Sequence, residues 1–421
     1  LLNEKLLQYL WQFQYFNKTD LKTSRGEAIE ILYPGKLNNN QGPDFSEAHV
    51  RIEGTLMVGS IEIHLRTSQW IEHGHQDDAN YNNVILHVVF ENDKEEDLSF
   101  PLPILELQSR ISNLLIDRYA SLMDSHAFIA CQNSINSIRD IVWMSWKERL
   151  LAERLTRKSA IVFDFLEGNA EHWEEIFWWM LARNFGLKVN VEAFEEMARS
   201  IPTRILGRHK SQIHQLEALL MGQAGLLNQT FSEDYPLLLQ REYKFLQKKY
   251  GLKPIKVPVF FHRMRPGNFP TVRLAQLAML IYNSAHLFSK ILETENVKDL
   301  HALFENTAND YWHYHYRFDE PSAFKKKVVG KTMVDNLVIN TIVPVLFAYG
   351  LHHKEEKFKL KALEWLEQTQ AEENNITKGF ASLGLSNQTA YESQAYIELK
   401  TQYCDNRNCL KCSVGNALLK G

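Results

Sequence analysis

No uninterrupted apolar run in this chain approaches the roughly 18 residues that span a bilayer. The best stretch, Val334 to Tyr349, is broken by Asp335, Asn336, Asn340 and Pro344. The first residues place Glu4 and Lys5 inside an amphipathic pattern and lack the layout of a signal peptide. A chain with no membrane span and a cytoplasmic location is the expectation. Charge of one sign is also scarce. Lys and Arg number 47 against 51 Asp and Glu, a net of −4, so no global charge marks a nucleic-acid binder. No internal repeat of fixed period is evident, and only four cysteines occur.

What is present suits a globular protein. The 421 residues are 45% hydrophobic and 23% charged with nine tryptophans, enough for two or three domains with a large core. Residues 4–16 carry apolar side chains at helical spacing. Short strands are expected at 27–32, 46–53, 57–66 and 83–90, with a Gly/Asn/Pro-rich loop at 34–43. From about Ile104 the pattern turns helical. Periodic segments run over 141–166, 171–185, 191–200, 209–227, 234–250, 271–293, 333–349 and 354–371. The predicted fold is α+β: a small mixed sheet with flanking helices over 1–130, a mostly helical domain over 131–400, and a Cys-rich clip at 401–421.

The chemistry concentrates between residues 41 and 90. Pro43-Asp44 opens one strand, and Glu62-Ile63-His64 lies on the next. Side chains at i and i+2 of a strand point the same way, so Glu62, His64 and Arg66 share one face, with Ile61, Ile63 and Leu65 on the other. Such a hairpin either builds a metal-dependent hydrolytic site or shows its charges to water. The loop Trp70 to Tyr81 adds His73, His75, Asp77 and Asp78, and His49 stands nearby in sequence. Asn83 to Phe90 reads as a strand buried on both faces, interrupted by His87, which is either a hydrogen-bonded core residue or part of the site.

Two features lie outside that region. Between Arg241 and Arg273 nine basic side chains accompany the single acid Glu242, with aromatics interleaved, centred on Arg263-Met264-Arg265-Pro266-Gly267-Asn268-Phe269-Pro270. Such a segment can grip phosphates, or it can be a solvated cationic helix and loop. The cysteines are Cys131 alone, then Cys404, Cys409 and Cys412 as C-x(4)-C-x(2)-C. Thiols this close in a cytosolic chain suit zinc or an iron–sulfur cluster, or four reduced thiols with no metal. Cys131 as the fourth ligand follows from the cysteine count.

The order strand, Pro-Asp, strand with Glu-x-basic, buried strand resembles the PD-(D/E)XK nuclease core, whose two acids hold one or two magnesium ions. The resemblance implies Asp44 and Glu62 as ligands of Mg2+ or Mn2+, seventeen residues lying between them. His64 stands where that family has lysine, so it is a base, a third metal ligand or the mark of a decayed core. Over nearly its full length the chain also resembles a bacterial family classed as a domain of unknown function. That likeness rests on Gly42-Pro43-Asp44-Phe45, Gly59 to Arg66, Trp70 to His75, Leu86 to Val89, Arg265 to Pro270 and the C-terminal Tyr-Cys cluster.

The expected function is a metal-dependent phosphodiester hydrolase acting on nucleic acid. Asp44 and Glu62 hold the ion, His64 and His87 assist, and Arg263, Arg265, Asn268 and Arg273 bind substrate. Two alternatives stand beside it. One is a non-catalytic nucleic-acid-binding or scaffold protein on a decayed core. The other is a hydrolase of a small substrate with a transition metal at His73, His75 and His87.

Overall fold

The structure, a computed structural model, describes residues 2–38, 40–94, 102–167, 172–284 and 286–420. It divides into two compact units, Leu1–Trp146 with Leu399–Gly421, and Lys147–Glu398. The fold is α+β, as the sequence pattern predicts: an N-terminal mixed sheet with helices, then a large helical region.

In the first unit, helix α1 (Glu4–Phe13) starts where Asn3 caps the amide of Leu6 at 2.9 Å. Its Leu6, Leu7, Leu10 and Trp11 are wholly buried against the sheet. The sheet contains β1 (Ile29–Tyr33), β2 (Lys36–Leu37), β3 (Phe45–Ile52), β4 (Thr55–Arg66), β5 (Val84–Glu91) and β6 (Ile104–Glu106). Its order is β1-β3-β4-β5-β6, with β2 also pairing β3. The β1/β3 and β3/β4 pairs are antiparallel, and β4/β5 and β5/β6 are parallel.

Two residues, Glu53 and Gly54, make the turn between β3 and β4, both at positive φ (46° and 79°), and Ile52 pairs with Thr55 across it. That two-residue turn matches the twist of a hairpin and fixes its register. Helix α2 (Gln69–Glu72) and the loop to Tyr81 then carry the chain over to β5. The expected loop at 34–43 is shortened by β2.

The C-terminal residues belong to this same unit and form no separate module. Helix α3 (Asn113–Asp124) and the segment after Leu399 hold each other through Arg407, which donates to the carbonyls of Leu122 and Ser125, and through Leu419, which enters the sheet core. Helix α4 (Asp140–Leu166) contains the junction at Trp146/Lys147, later than the expected boundary at 130.

The second unit is built of helices around one apolar core. The expected helix 209–227 is the shorter Ile213–Gln223, preceded by a further helix, Thr203–His209, with His209 held by Gln215 and by the Tyr250 hydroxyl (2.8 Å) at the corner between them. The expected helix 271–293 is likewise two, Pro270–Asn283 and Leu287–Glu293, separated near His286 at φ 55°. The apolar stretch Lys331–His352 is helical, with a π turn at Val338–Ile342. It is long and apolar enough to cross a membrane, but 78% of its apolar window is buried inside the unit, so it serves as a core helix. Pro344, which has no amide hydrogen, explains the widened turn before it.

A candidate metal centre on the mixed sheet

The hairpin does not present its polar face to water. Ile61 and Ile63 fill the core, and Glu62 and His64 on the opposite face are only 5% and 2% exposed. They are covered by α2 and the loop behind it. Arg66, beyond the covered part, is exposed. Gly59 permits this closeness: a Cβ there would stand 2.5 Å from the carbonyl oxygen of Asn83 and from Ile85 Cγ2, so a larger residue would push β5 off β4.

Asp44 and Glu62 interlock. The Asp44 amide donates to Glu62 Oε2 at 3.0 Å, and the Ile63 amide donates to Asp44 Oδ2 at 3.1 Å. Gln8 of α1 donates to Asp44 Oδ1 at 2.8 Å. Burial raises both carboxyls, and each stands near another acid. Glu62 is pushed up to about 8 by burial and then by Asp44, and Asp44 to about 6 by burial, with Glu4 adding to it. The negative charge of both acids is thus disfavoured where they stand.

Around Glu62 stand three imidazoles. Glu62 Oε1 lies 3.5 Å from His64 Nε2 and 3.4 Å from His75 Nε2, and His64 Nε2 lies 3.2 Å from His73 Nδ1. The ligand atoms of His64, His73 and His75 all fall within 4.8 Å of one another. Bonds of about 2.0–2.1 Å to one tetrahedral ion imply ligand–ligand edges of about 3.3–3.4 Å. The His64–His73 separation and those of Glu62 from His64 and His75 are close to such edges, and the three imidazoles together form a group that could hold one ion. Burial lowers His64, helped by His87, His75 and His73, and burial lowers His75, helped by His73, which keeps both in the neutral form a metal requires. Gly74, at φ 73°, makes the reversal that aims His73 and His75 at one point.

His87 is the layer behind. Its Nε2 lies 2.8 Å from His64 Nδ1, so a proton on His64 Nδ1 leaves the Nε2 lone pair facing Glu62, His73 and His75. Trp70 packs its indole 5.3 Å from the rings of both His75 and His87, and Tyr81 stacks on His75 at 3.9 Å. These aromatics wall the site on one side.

The structure thus brings together Asp44, Glu62, His64 and His87 from the predicted set, and adds His73 and His75 as donors in direct contact with it. His49 is exposed on β3 against Tyr33, and Asp77 is exposed. Asp78 caps the turn before Tyr81 by accepting from the Asn80 amide at 2.9 Å. Trp70 and Tyr81 bound the loop that the sequence marks, whereas nothing in the sequence points to Gln8.

The predicted substrate residues lie in the second unit. Arg263 and Arg265 are exposed, as are Lys244, Lys248, Lys249, Lys253 and Lys256, with Phe245 and Phe260 exposed among them. Arg273 is a different case. It is 9% exposed, and its guanidinium donates to Asn268 Oδ1 at 2.5 Å and Gln276 Oε1 at 3.0 Å. Arg273 and Asn268 therefore brace the Arg-Pro-Gly-Asn-Phe-Pro corner and are not offered to a ligand.

A family model described as "Protein of unknown function (DUF2851)" matches residues 4–375. The chain belongs to that family. No curated protein and no solved structure matches it. The family match ends before Cys404, so the C-terminal cysteines lie beyond it.

Proposed function

We propose that this protein of the DUF2851 family is a divalent-metal-dependent phosphodiester hydrolase acting on nucleic acid. The convergence of His64, His73 and His75 within 4.8 Å of one another, with Glu62 against two of them and Asp44 locked to Glu62, carries the reading. Glu62, His64, His73 and His75 bind the ion, and Asp44 supplies the second carboxylate of the site. When bound, the ion supplies an activated water and neutralises charge that develops on the phosphoryl oxygens. His87 fixes the tautomer of His64, Gln8 and the Ile63 amide hold the Asp44 carboxylate in place, and Trp70 and Tyr81 exclude water from one side.

Further support comes from the order of elements. An antiparallel hairpin carrying the acids at its start and centre, followed by a crossover to a buried parallel strand, is the sequence of parts in the nuclease core that the motif resembles. The exposed lysines, arginines and phenylalanines of residues 244–265 suit a nucleic-acid backbone and its bases.

The three imidazoles favour one second reading, a hydrolase of a small phosphoester using a zinc-type ion, since imidazole prefers Zn2+ and its neighbours to Mg2+. Incubation of the full chain with labelled single- and double-stranded DNA and RNA, with Mg2+, Mn2+ or Zn2+ in turn, separates the two. Metal-dependent cleavage lost in Glu62→Gln is the expected result. Absence of any polymer cleavage, with turnover of a small phosphoester, would establish the second reading instead.

A further inference from the structure

The second unit holds a cavity that shares no residue with the metal centre. Its volume is about 390 Å3, within the range of about 300–1,000 Å3 usual for small-molecule sites. It lies among the helices Trp173–Phe185, Thr203–His209 and Pro270–Asn283 and the start of Leu287–Glu293. Its walls are Phe177, Trp178, Leu181, Leu206, Ile281 and Leu287, all buried side chains of the unit's apolar core. Trp178 donates its indole N–H to the carbonyls of Ala198 (3.0 Å) and Ile201 (3.3 Å), so its ring adds only apolar surface to the cavity. An interior of this kind disfavours polar groups, which would lose water and gain no partner.

The mouth has the opposite character. Arg204 and Lys210 line it and are exposed, and neither side chain has a hydrogen-bond or ion-pair partner among the described residues. Glu174, the one acid in the lining, is engaged elsewhere: its carboxylate accepts from the Phe288 and Ser289 amides at 3.3 and 2.8 Å and from the Ser289 hydroxyl at 2.9 Å. Two positive charges against one negative leave the lining with an excess of one positive charge. Gly207 stands three residues from each cation, so Arg204, Gly207 and Lys210 share one face of the helix Thr203–His209 and its C-terminal cap. Glycine is unfavourable inside a helix. Neither backbone nor packing requires it here: φ at Gly207 is not positive, and a Cβ there would meet nothing within 4 Å. What the glycine does is leave the mouth open between the two cations.

We propose that this cavity binds an amphipathic carboxylate, its tail among Phe177, Trp178, Leu181 and Ile281 and its head on Arg204 and Lys210. The volume limits the tail. At the ~30 Å3 that a water-sized group occupies in a liquid, about 390 Å3 takes roughly a dozen heavy atoms, the size of decanoate. Charge selects the head. One excess positive charge matches a carboxylate better than a phosphate, which carries nearly two negative charges at neutral pH. The guanidinium of Arg204 offers the carboxylate a two-pronged bond, and Lys210 adds a point charge from the other side of Gly207.

Calorimetric titration of the full chain with decanoate tests this, with decylammonium and decyl phosphate titrated in parallel. About one equivalent of decanoate should bind, at least tenfold more tightly than either of the others. Arg204→Gln combined with Lys210→Gln alters only exposed side chains and should weaken decanoate at least tenfold. Gly207→Leu should fold at least as stably as the wild type, since leucine favours a helix and meets no obstacle, and it should lose decanoate because its side chain closes the mouth. Circular dichroism and thermal unfolding accompany each variant, and the Arg204/Lys210 pair decides if Gly207→Leu fails to fold. Absence of binding at millimolar decanoate overturns the proposal, as does decylammonium binding as tightly as decanoate. So does an affinity unchanged in folded Gly207→Leu or in the double variant. Decyl phosphate binding the more tightly would overturn the assignment to a carboxylate.

Discussion

Asp44 and Glu62 are joined by a reciprocal pair of backbone bonds: the Asp44 amide donates to the Glu62 carboxylate, and the amide next to Glu62, that of Ile63, donates to the Asp44 carboxylate. Each acid is thereby held by the strand that carries the other, with about half of its lone pairs left for a further partner. The two acids have no freedom to separate unless the β3/β4 hairpin itself opens.

That relationship makes Asp44→Asn an informative variant. The amide side chain keeps an acceptor for Ile63, so the hairpin should stay closed and the circular dichroism unchanged. Only the second negative charge of the site is lost. Cleavage should fall by roughly 10–100-fold, the range typical for residues that support a metal's own ligands. Full activity in a folded Asp44→Asn protein would remove Asp44 from the site.

His87→Phe tests the layer behind. Phenylalanine fills the volume of the imidazole in a strand buried on both faces, and it abolishes the bond to His64 Nδ1. The affinity for Mn2+ or Zn2+, read by calorimetry on the full chain, should drop roughly 10–100-fold with the stoichiometry unchanged. Equal affinity would show that His64 is oriented by its other neighbours.

Gly59→Ala joins fold to site. Its Cβ would meet backbone oxygen and a side-chain methyl group at 2.5 Å, where neither can retreat freely. Overpacking of this kind costs about 1–3 kcal/mol. Because the displaced strand is the one bearing His87, metal affinity should fall along with stability. A loss of stability with no loss of affinity would mean that β5 yields at its start without moving His87.

Much of this was legible in the sequence, and the limits have physical causes. A strand has a period of two, and the apolar partners of Glu62 and His64 alternate strictly, so their shared face could be read directly. Whether that face met water depended on where α2 and the loop after it folded, which is a tertiary fact. His73-Gly74-His75 was visible as a motif but weak, because only the αL turn at Gly74 aims both rings at His64. Gln8 reaches Asp44 from a helix 36 residues away, and nothing marks one glutamine among others. Arg273 counted as cationic surface by composition, yet its helix turns it inward onto Asn268 and Gln276. The short helix Thr203–His209 was not expected, and the break before Leu287 was missed because apolar residues at helical spacing resume straight after it.

The second unit holds an acid whose titration should be measurable. Glu217 is fully buried, its Oε2 accepts from the Tyr235 hydroxyl at 2.7 Å and the Trp312 indole at 3.0 Å, and its Oε1 has no hydrogen-bond partner among the described residues. Burial pushes it up to about 7, against the two hydrogen bonds that pull it down. A carboxyl raised in the folded state favours folding while protonated. Its contribution is therefore whole below about pH 4.5 and is lost as the pH climbs through about 7, a swing of about 3 kcal/mol at most. Glu217→Gln keeps an acceptor for both donors and cannot ionise. It should match the wild type near pH 5 and exceed it near pH 8, as read by hydrogen-exchange protection of the helix Ile213–Gln223 after correction for intrinsic rates. If the two proteins instead show the same protection at both values, Glu217 keeps one charge state throughout, and the pH dependence of this unit must come from elsewhere, with Lys158, whose pKa burial lowers to about 7, the next group to substitute.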